Sequence, residues 1–177
     1  LLKNQMSVVA TSDAGNGVGY TGFRIRGSAG TSINVMLNGV PYNDSESQGT
    51  FFVNIPDMAS SASQIVIQRG VGTSSNGTAS FGASVNILTK NPDEKPYVLG
   101  QFSAGSFNSM KTSFEAGSGK FLNNLLSVSA RYSTINSDGY IDRASSNLKS
   151  FYVSTTYWGE KSSLRLNVFS GKEKTYQ

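Results

Sequence analysis

Met110-Lys111-Thr112-Ser113-Phe114-Glu115-Ala116-Gly117 alternates residue by residue: Met110, Thr112, Phe114 and Ala116 share one side of an extended chain, and Lys111, Ser113, Glu115 and Gly117 share the other. Successive side chains of a strand point to opposite faces, so this period of two predicts a strand with one apolar side. The pattern returns downstream. Leu126, Val128, Ala130 and Tyr132 oppose Ser127, Ser129, Arg131 and Ser133. Phe151, Val153, Thr155 and Tyr157 oppose Ser150, Ser154 and Thr156, with Tyr152 breaking the polar set. Leu164, Leu166 and Val168 oppose Ser163, Arg165 and Asn167, and residues 97–105 form a fifth, less regular strand. A soluble sheet with one wet face has the same period. Segments of about ten residues, however, exceed the ~5–6 usual in soluble sheets and match strands that cross a bilayer. The connections alternate too: 106–107 is tight, 118–122 short, 136–146 long and 159–162 short, as in a barrel with short inner turns and longer outer loops. Five strands do not close a membrane barrel, so further strands are expected.

Upstream of residues 91–96 the pattern differs. Residues 1–9 are expected to end a helix that began earlier. Residues 23–26 and 33–37 predict short strands, and Asn38-Gly39 predicts a type I′ hairpin turn, which needs positive φ at both central residues. Pro56 fits the first turn of a short helix over 57–61. Residues 64–69 and 84–88 predict two more strands, with 72–82 as loop. This half reads as α+β.

Composition agrees. The 177 residues include 19 Gly and 4 Pro, with 15% charged and 37% hydrophobic residues, a mixture suited to many strands and turns. The formal charge of +4 is spread along the chain without a basic run, so nucleic acid is not an expected partner. The chain has no Cys and no His, which excludes disulfides, thiol chemistry and His-based catalysis or metal binding in it. No apolar run reaches the ~20 residues of a membrane helix, and Leu1 reads as mid-sequence, without a leader ahead of it. Gly15-Asn16-Gly17-Val18-Gly19 lacks the last glycine of a dinucleotide fingerprint, and Ser118-Gly119-Lys120-Phe121 lacks the leading Gly and hydroxyl of a phosphate loop. Asp93-Glu94 sits beside Pro92 in a connector, as solvated acids. No pair of acids suggests a glycosidase, and no cofactor is implied.

Six pieces in order carry a resemblance: Phe23-Arg24-Ile25-Arg26-Gly27, Val35-Met36-Leu37-Asn38-Gly39-Val40-Pro41, Ile55-Pro56, Gln64-Ile65-Val66-Ile67-Gln68-Arg69-Gly70, Asn76-Gly77, and Phe81-Gly82-Ala83-Ser84-Val85-Asn86-Ile87-Leu88-Thr89-Lys90. In order and spacing they resemble the plug of TonB-dependent outer-membrane receptors. Asn38 stands where that pattern has Asp, Val66 where Glu is common, Asn76 where Tyr is common, and Ala83 for a second Gly. The resemblance implies an α+β plug domain over 1–92, a connector at 93–96, and the first five or so strands of an outer-membrane β-barrel over 97–177. A barrel of about 22 strands has a lumen too wide for its own side chains, hence the plug. The strand from Tyr97 would rise outward, 106–107 would turn outside, 136–146 would be an extracellular loop and 171–177 would begin the next.

The function so implied is TonB-dependent import of a scarce nutrient across the outer membrane of a Gram-negative bacterium. A surface adhesin or glycan-binding β-module is the alternative, and it does not predict the ordered plug motifs. Arg26 and Arg69 match plug arginines that pair with glutamates of the inner barrel wall, a role suited to the planar five-donor guanidinium. Three loops would face the ligand: 12–20 with Asn16 and Tyr20, 42–50 with Tyr42, Asn43, Asp44 and Glu46, and 72–80. The partners implied are TonB (through an N-terminal box), outer-membrane lipid, a small nutrient such as a siderophore, glycan or peptide, and, as a further candidate, a surface lipoprotein.

Overall fold

A computed structural model describes residues 5–12, 20–71 and 80–175. In chain order the elements are β1 (Val8–Ser12), β2 (Thr21–Ile25), β3 (Ile33–Leu37), β4 (Val40–Pro41), α1 (Met58–Ser61), β5 (Ala62–Arg69) and β6 (Ala83–Thr89). Five long strands follow: β7 (Tyr97–Gly105), β8 (Ser109–Phe121), β9 (Leu126–Ser137), β10 (Ser146–Trp158) and β11 (Ser163–Thr175). They build three sheets, β1-β2, β4-β3-β6-β5 and β11-β10-β9-β8-β7.

The first two sheets share one core. Ile25, Ile33, Val35, Ala83 and Val85 are fully buried, with Phe23, Ile55, Met58 and Ile87 packed around them. β3 and β6 are central and parallel, Val35 beside Val85, which explains the near-continuous burial of Ile33–Met36. The hairpin turn forms as expected, with φ of 52° at Asn38 and 81° at Gly39. Asn38 Oδ1 accepts from the backbone N–H of Thr89 at 2.9 Å and from its hydroxyl at 3.1 Å, so the turn is tied to the end of β6.

Three local expectations need correction. The helix over 1–9 does not extend to its described end: Val8 and Val9 are β-branched and pair with Ile25 and Arg24 as β1. The helix over 57–61 shrinks to one turn, because Asp57 takes the left-handed conformation (φ 52°, ψ 29°) just before it. The turn at 118–122 moves to 122–125: a register shift between Gly117 and Lys120, with Gly119 at φ +66°, lets β8 run on to Phe121. β11 likewise continues through most of 171–177.

β7–β11 form an antiparallel meander whose polarity is inverted relative to a water-soluble sheet. On β8–β10 one face is buried and mostly polar, with Ser113, Ser127, Arg131, Ser133, Ser150, Ser154 and Thr156 beside Leu148 and Tyr152. The other face is apolar and exposed, including Val98 at 84%, Leu164 at 70% and Phe114 at 60% exposure. Pairing register arranges this face in rows. Leu126, Tyr157 and Leu164 lie side by side, then Val128, Thr155 and Leu166, then Val98, Ala116, Ala130, Val153 and Val168, then Phe114, Tyr132 and Phe151. Full burial of a large apolar side chain is worth about 1.5–3 kcal/mol, so leaving Val98, Phe114, Tyr132, Phe151, Tyr157, Leu164, Leu166 and Val168 about half or more in water forgoes on the order of 10 kcal/mol, comparable to the net stability of a domain. Aromatic residues bound the band on both sides, as at the two interfaces of a membrane barrel. No helix among the described residues is long and apolar enough to cross a membrane, so any crossing falls to these strands.

Candidate functional site

The N-terminal sheets meet the polar face of β8–β11 at Ile55-Pro56-Asp57. Pro56 is buried against Gly171 of β11, where a Cβ would stand 2.0 Å from Pro56 Cγ. Ser150 of β10 donates its hydroxyl to the Pro56 carbonyl at 2.8 Å. The next residue, Asp57, carries the main contact. Its Oδ1 accepts from Lys111 Nζ and from the Ser60 hydroxyl, both at 2.7 Å. Its Oδ2 accepts from Arg131 Nη1 at 2.5 Å and from the Ser133 hydroxyl at 2.6 Å. Arg131 also donates Nη2 to the Asp57 carbonyl at 3.0 Å and Nε to the Ser61 hydroxyl at 3.1 Å.

The side chains of Asp57 and Arg131 are 5% and 3% exposed. Burial by itself raises the Asp57 pKa, but hydrogen bonds from Lys111, Ser133 and Ser60 outweigh it and hold the carboxyl below its ordinary range. Asp57 is therefore a fixed anion at neutral pH, clamped by two cations of the wall.

A second seam lies lower. Lys90, just after β6, pairs with Glu115 of β8 at 2.8 Å, and Glu115 also accepts from the Tyr97 hydroxyl at 2.7 Å. Arg165 of β11 donates to the Lys90 carbonyl, to Asn91 Oδ1 at 3.4 Å and to the Ser154 hydroxyl at 3.2 Å. Lys120 pairs with Glu94 at 3.1 Å and sits 5.4 Å from the Trp158 ring centroid. The chain leaving β6 is thus tied to the wall before it becomes β7.

The residues singled out in the sequence lie elsewhere. Arg26 is exposed just after β2 with φ 51°. Arg69 is half-buried at the end of β5, lining a cleft of about 490 Å³ with Gln5, Gln64, Ile65 and Ile67. Neither makes an ion pair with another described residue. Asn16 falls outside the described residues, and Tyr20 is exposed at the entry to β2. Tyr42 packs against the core and donates to the Phe51 carbonyl at 3.5 Å, and its burial raises the phenol pKa. Asn43 staples the 42–50 loop to β3: Oδ1 accepts from Val35 N–H at 2.7 Å, and Nδ2 donates to the carbonyls of Ile33 at 2.9 Å and Gln48 at 2.8 Å.

Asp44 Oδ1 accepts from the N–H of Ser47 at 2.7 Å, the Ser47 hydroxyl at 2.8 Å and the N–H of Glu46 at 3.2 Å. The Ser47 backbone bond is the main cause of its lowered pKa. Glu46 is exposed. The loop is a self-bonded shelf offering Glu46 and the outer oxygen of Asp44, with Asn43 committed to its foundation. Among the described residues no three His, Cys, Asp or Glu side chains gather into a metal site.

Sequence reasoning missed Asp57, Lys111, Arg131, Lys90 and Glu115. The available signal was on the inner face: Arg131 and Glu115 are charges in an otherwise Ser-rich row, and the register sets them directly opposite each other.

Residues 1–84 match the family model of the TonB-dependent Receptor Plug Domain. No curated protein matches the chain by sequence. Among solved structures it is similar to the ferripyoverdine receptor of the Pseudomonas aeruginosa outer membrane, 14% identical with a TM-score of 0.66 over 86% of this chain and 20% of that one. It is similar to the copper transporter OprC, 13% identical with a TM-score of 0.76 over 96% and 27% of the two chains. The ferric yersiniabactin uptake receptor FyuA from Yersinia pestis is 16% identical, with a TM-score of 0.70 over 97% and 28%. The chain thus spans about a fifth to a quarter of the length of these structures, and the likeness is one of fold.

Proposed function

From the premise that this chain carries a TonB-dependent receptor plug domain followed by antiparallel strands of its outer-membrane barrel, we propose that it serves an active importer, not an enzyme. The importer binds a scarce nutrient at the surface of a Gram-negative cell and passes it inward. The observation that carries this reading is the inverted wall: apolar outward, polar inward, with the N-terminal sheets clamped to the inner side through Asp57. A sheet facing lipid on one side and a plugged lumen on the other needs that polarity. A surface adhesin has no need for a domain tied inside its wall.

In this reading residues 1–92 are the plug, 93–96 the connector and 97–177 the opening strands of the barrel. Asp57 and Lys90 hold the plug to these strands, while Arg26 and Arg69 reach glutamates on other parts of the wall. Tyr20, Asp44 and Glu46, with Asn16, present donors and acceptors to the ligand; Tyr42 and Asn43 hold that surface in place. The ligand is a small nutrient such as a siderophore, glycan or peptide. Energy arrives from TonB through an N-terminal box, and a surface lipoprotein is a candidate partner on the outer side.

The test is uptake of a panel of such nutrients by cells expressing the protein, with and without TonB. The reading predicts that at least one nutrient accumulates only when TonB is present. Accumulation that is indifferent to TonB overturns it.

A further inference from the structure

Asn38-Gly39 carries a chemical liability as well as a turn. Asparagine is among the thermolabile residues, and a following glycine puts no side chain in the way of attack by its own backbone nitrogen. The reaction needs only water. The Gly39 nitrogen bonds to Asn38 Cγ, the Cγ–Nδ2 bond breaks, and the leaving group takes the Gly39 proton and departs as ammonia. Water then opens the five-membered ring. Breaking the new bond between Cγ and the Gly39 nitrogen leaves aspartate in an ordinary main chain. Breaking the original peptide bond leaves isoaspartate, whose main chain runs through the side-chain carbons. Either way one water is consumed and one ammonia released.

Solvent reaches this pair, because Asn38 and Gly39 are both exposed. Conformation, not burial, is what restrains it. The φ of Asn38 is 52°, and a type I′ turn sets ψ of that residue at about +30°, the mirror image of type I. At this angle Cβ of an L residue stands nearly anti to the next nitrogen across the Cα–C bond, whereas ring closure needs the two nearly eclipsed. Both reacting groups are also held. Asn38 Oδ1 accepts from the N–H and hydroxyl of Thr89 at 2.9 and 3.1 Å, and the Gly39 N–H donates to Asn86 Oδ1 at 3.2 Å. The Asn38 N–H donates to the Ile87 carbonyl at 2.8 Å. Every one of these partners lies on the last turn of β6, so the backbone cannot rotate into the reactive shape until the hairpin leaves that strand.

We infer that Asn38-Gly39 is a latent self-modification site, silent while the hairpin is seated on β6 and converting to aspartate and isoaspartate when the seat opens. Conversion leaves a covalent record of that opening. The aspartate form can renew the tie, since a carboxylate accepts from Thr89 as the amide did. The isoaspartate form adds a carbon to the main chain of the turn and cannot restore the pairing of Met36 with Pro41 and Leu37 with Val40.

The test follows conversion in the detergent-purified full chain, folded and, separately, denatured in guanidinium, in one mildly alkaline buffer. Trypsin separates the three Asn-Gly pairs: Asn16 falls in the peptide 4–24, Asn38 in 27–69 and Asn76 in 70–90. Mass spectrometry then reads each pair alone. In denaturant, Asn38 should convert within about threefold of the rates at Asn16 and Asn76, because all three share a coil. In the folded protein its rate is the denatured rate scaled by the fraction of time the seat is open, and should be at least tenfold lower. Equal folded and denatured rates at Asn38, or no conversion of Asn38 in denaturant, overturn the inference. Asn86→Ala removes the acceptor of the Gly39 N–H; it should speed folded-state conversion at least threefold and leave the denatured rate unchanged. An unchanged folded rate in that variant also counts as refutation. If the variant does not fold, the comparison in the unaltered protein still decides.

Discussion

Replacing Asp57 by Asn removes the one anion between Arg131 and Lys111 and leaves a guanidinium whose side chain is 3% exposed without its counter-charge. Breaking a buried ion pair from one side costs about 3–5 kcal/mol. Asparagine keeps one carbonyl acceptor for Ser133 or Ser60, which places the expected loss near the lower end, about 3 kcal/mol. At 1.4 kcal/mol per decade that is roughly a hundredfold shift toward the undocked state. Native-state hydrogen exchange on the purified protein reads this locally. The N–H of Met58, bonded to the Ile55 carbonyl, and that of Ser60, bonded to the Asp57 carbonyl, should exchange on the order of a hundred times faster. The double variant Asp57→Asn, Arg131→Gln should be less damaged than the two single losses added together, because the second change removes the stranded charge. Unchanged exchange at Met58 and Ser60, or strict additivity, would refute the reasoning that this pair holds the two bodies together.

Four further outcomes follow from the same geometry. Asp57 has a folded pKa depressed below its ordinary 3.8, so its contribution is complete above that pH and is lost as pH falls through the folded value. The protection factor of the Met58 amide should therefore hold from neutrality down to the ordinary carboxylate range and fall once the pH drops below it. Gly171→Ala, whose Cβ would collide with Pro56 at 2.0 Å, should cost about 1–3 kcal/mol by overpacking, whereas Gly100→Ala, with nothing nearer than 3.6 Å, should leave thermal stability unchanged. Asn38→Asp preserves the acceptor for Thr89 and should melt within a degree or two of the parent; Asn38→Ala loses both bonds at a positive-φ position and should lose about 1–2 kcal/mol by chemical denaturation. Arg69→Ala should raise cell permeability to small antibiotics if its proposed glutamate partners help seal the lumen, and unchanged permeability counts against that role.

What the sequence disclosed was the part written in local pattern. Period two marked the strands because one side of each had to be apolar, and Asn38-Gly39 marked its turn because few other pairs tolerate positive φ twice. β1 was missed because Leu1, Leu2 and Met6 lent a helical look to a segment whose Val8 and Val9 find their partners at Ile25 and Arg24. The extension of β8 rests on a bulge at Gly117–Lys120, which breaks the alternation that would reveal it. The parallel pairing of β3 with β6 joins residues about fifty positions apart, beyond any local signal. The site was less legible than the fold. The resemblance drew attention to Arg26 and Arg69, but the cations that meet Asp57 are Lys111 and Arg131, on the wall itself. Their partner Asp57 carried no local signal, because it meets them across 54 and 74 positions of the chain. Asn43 looked like a ligand donor and is a loop staple, because an amide can satisfy Ile33, Val35 and Gln48 together.

The polarity of the wall is directly measurable, because these 177 residues hold no cysteine to compete with a label introduced among them. Single spin labels at Phe114→Cys, Val153→Cys and Leu166→Cys, and at Ser113→Cys, Ser154→Cys and Asn167→Cys, can be compared in protein reconstituted into a bilayer. The account predicts that the first three relax strongly with lipid-dissolved oxygen and weakly with a water-soluble nickel chelate, and that the second three show no such lipid signature. Outward labels that respond to the nickel chelate, or to neither reagent because another protein layer covers them, would contradict it.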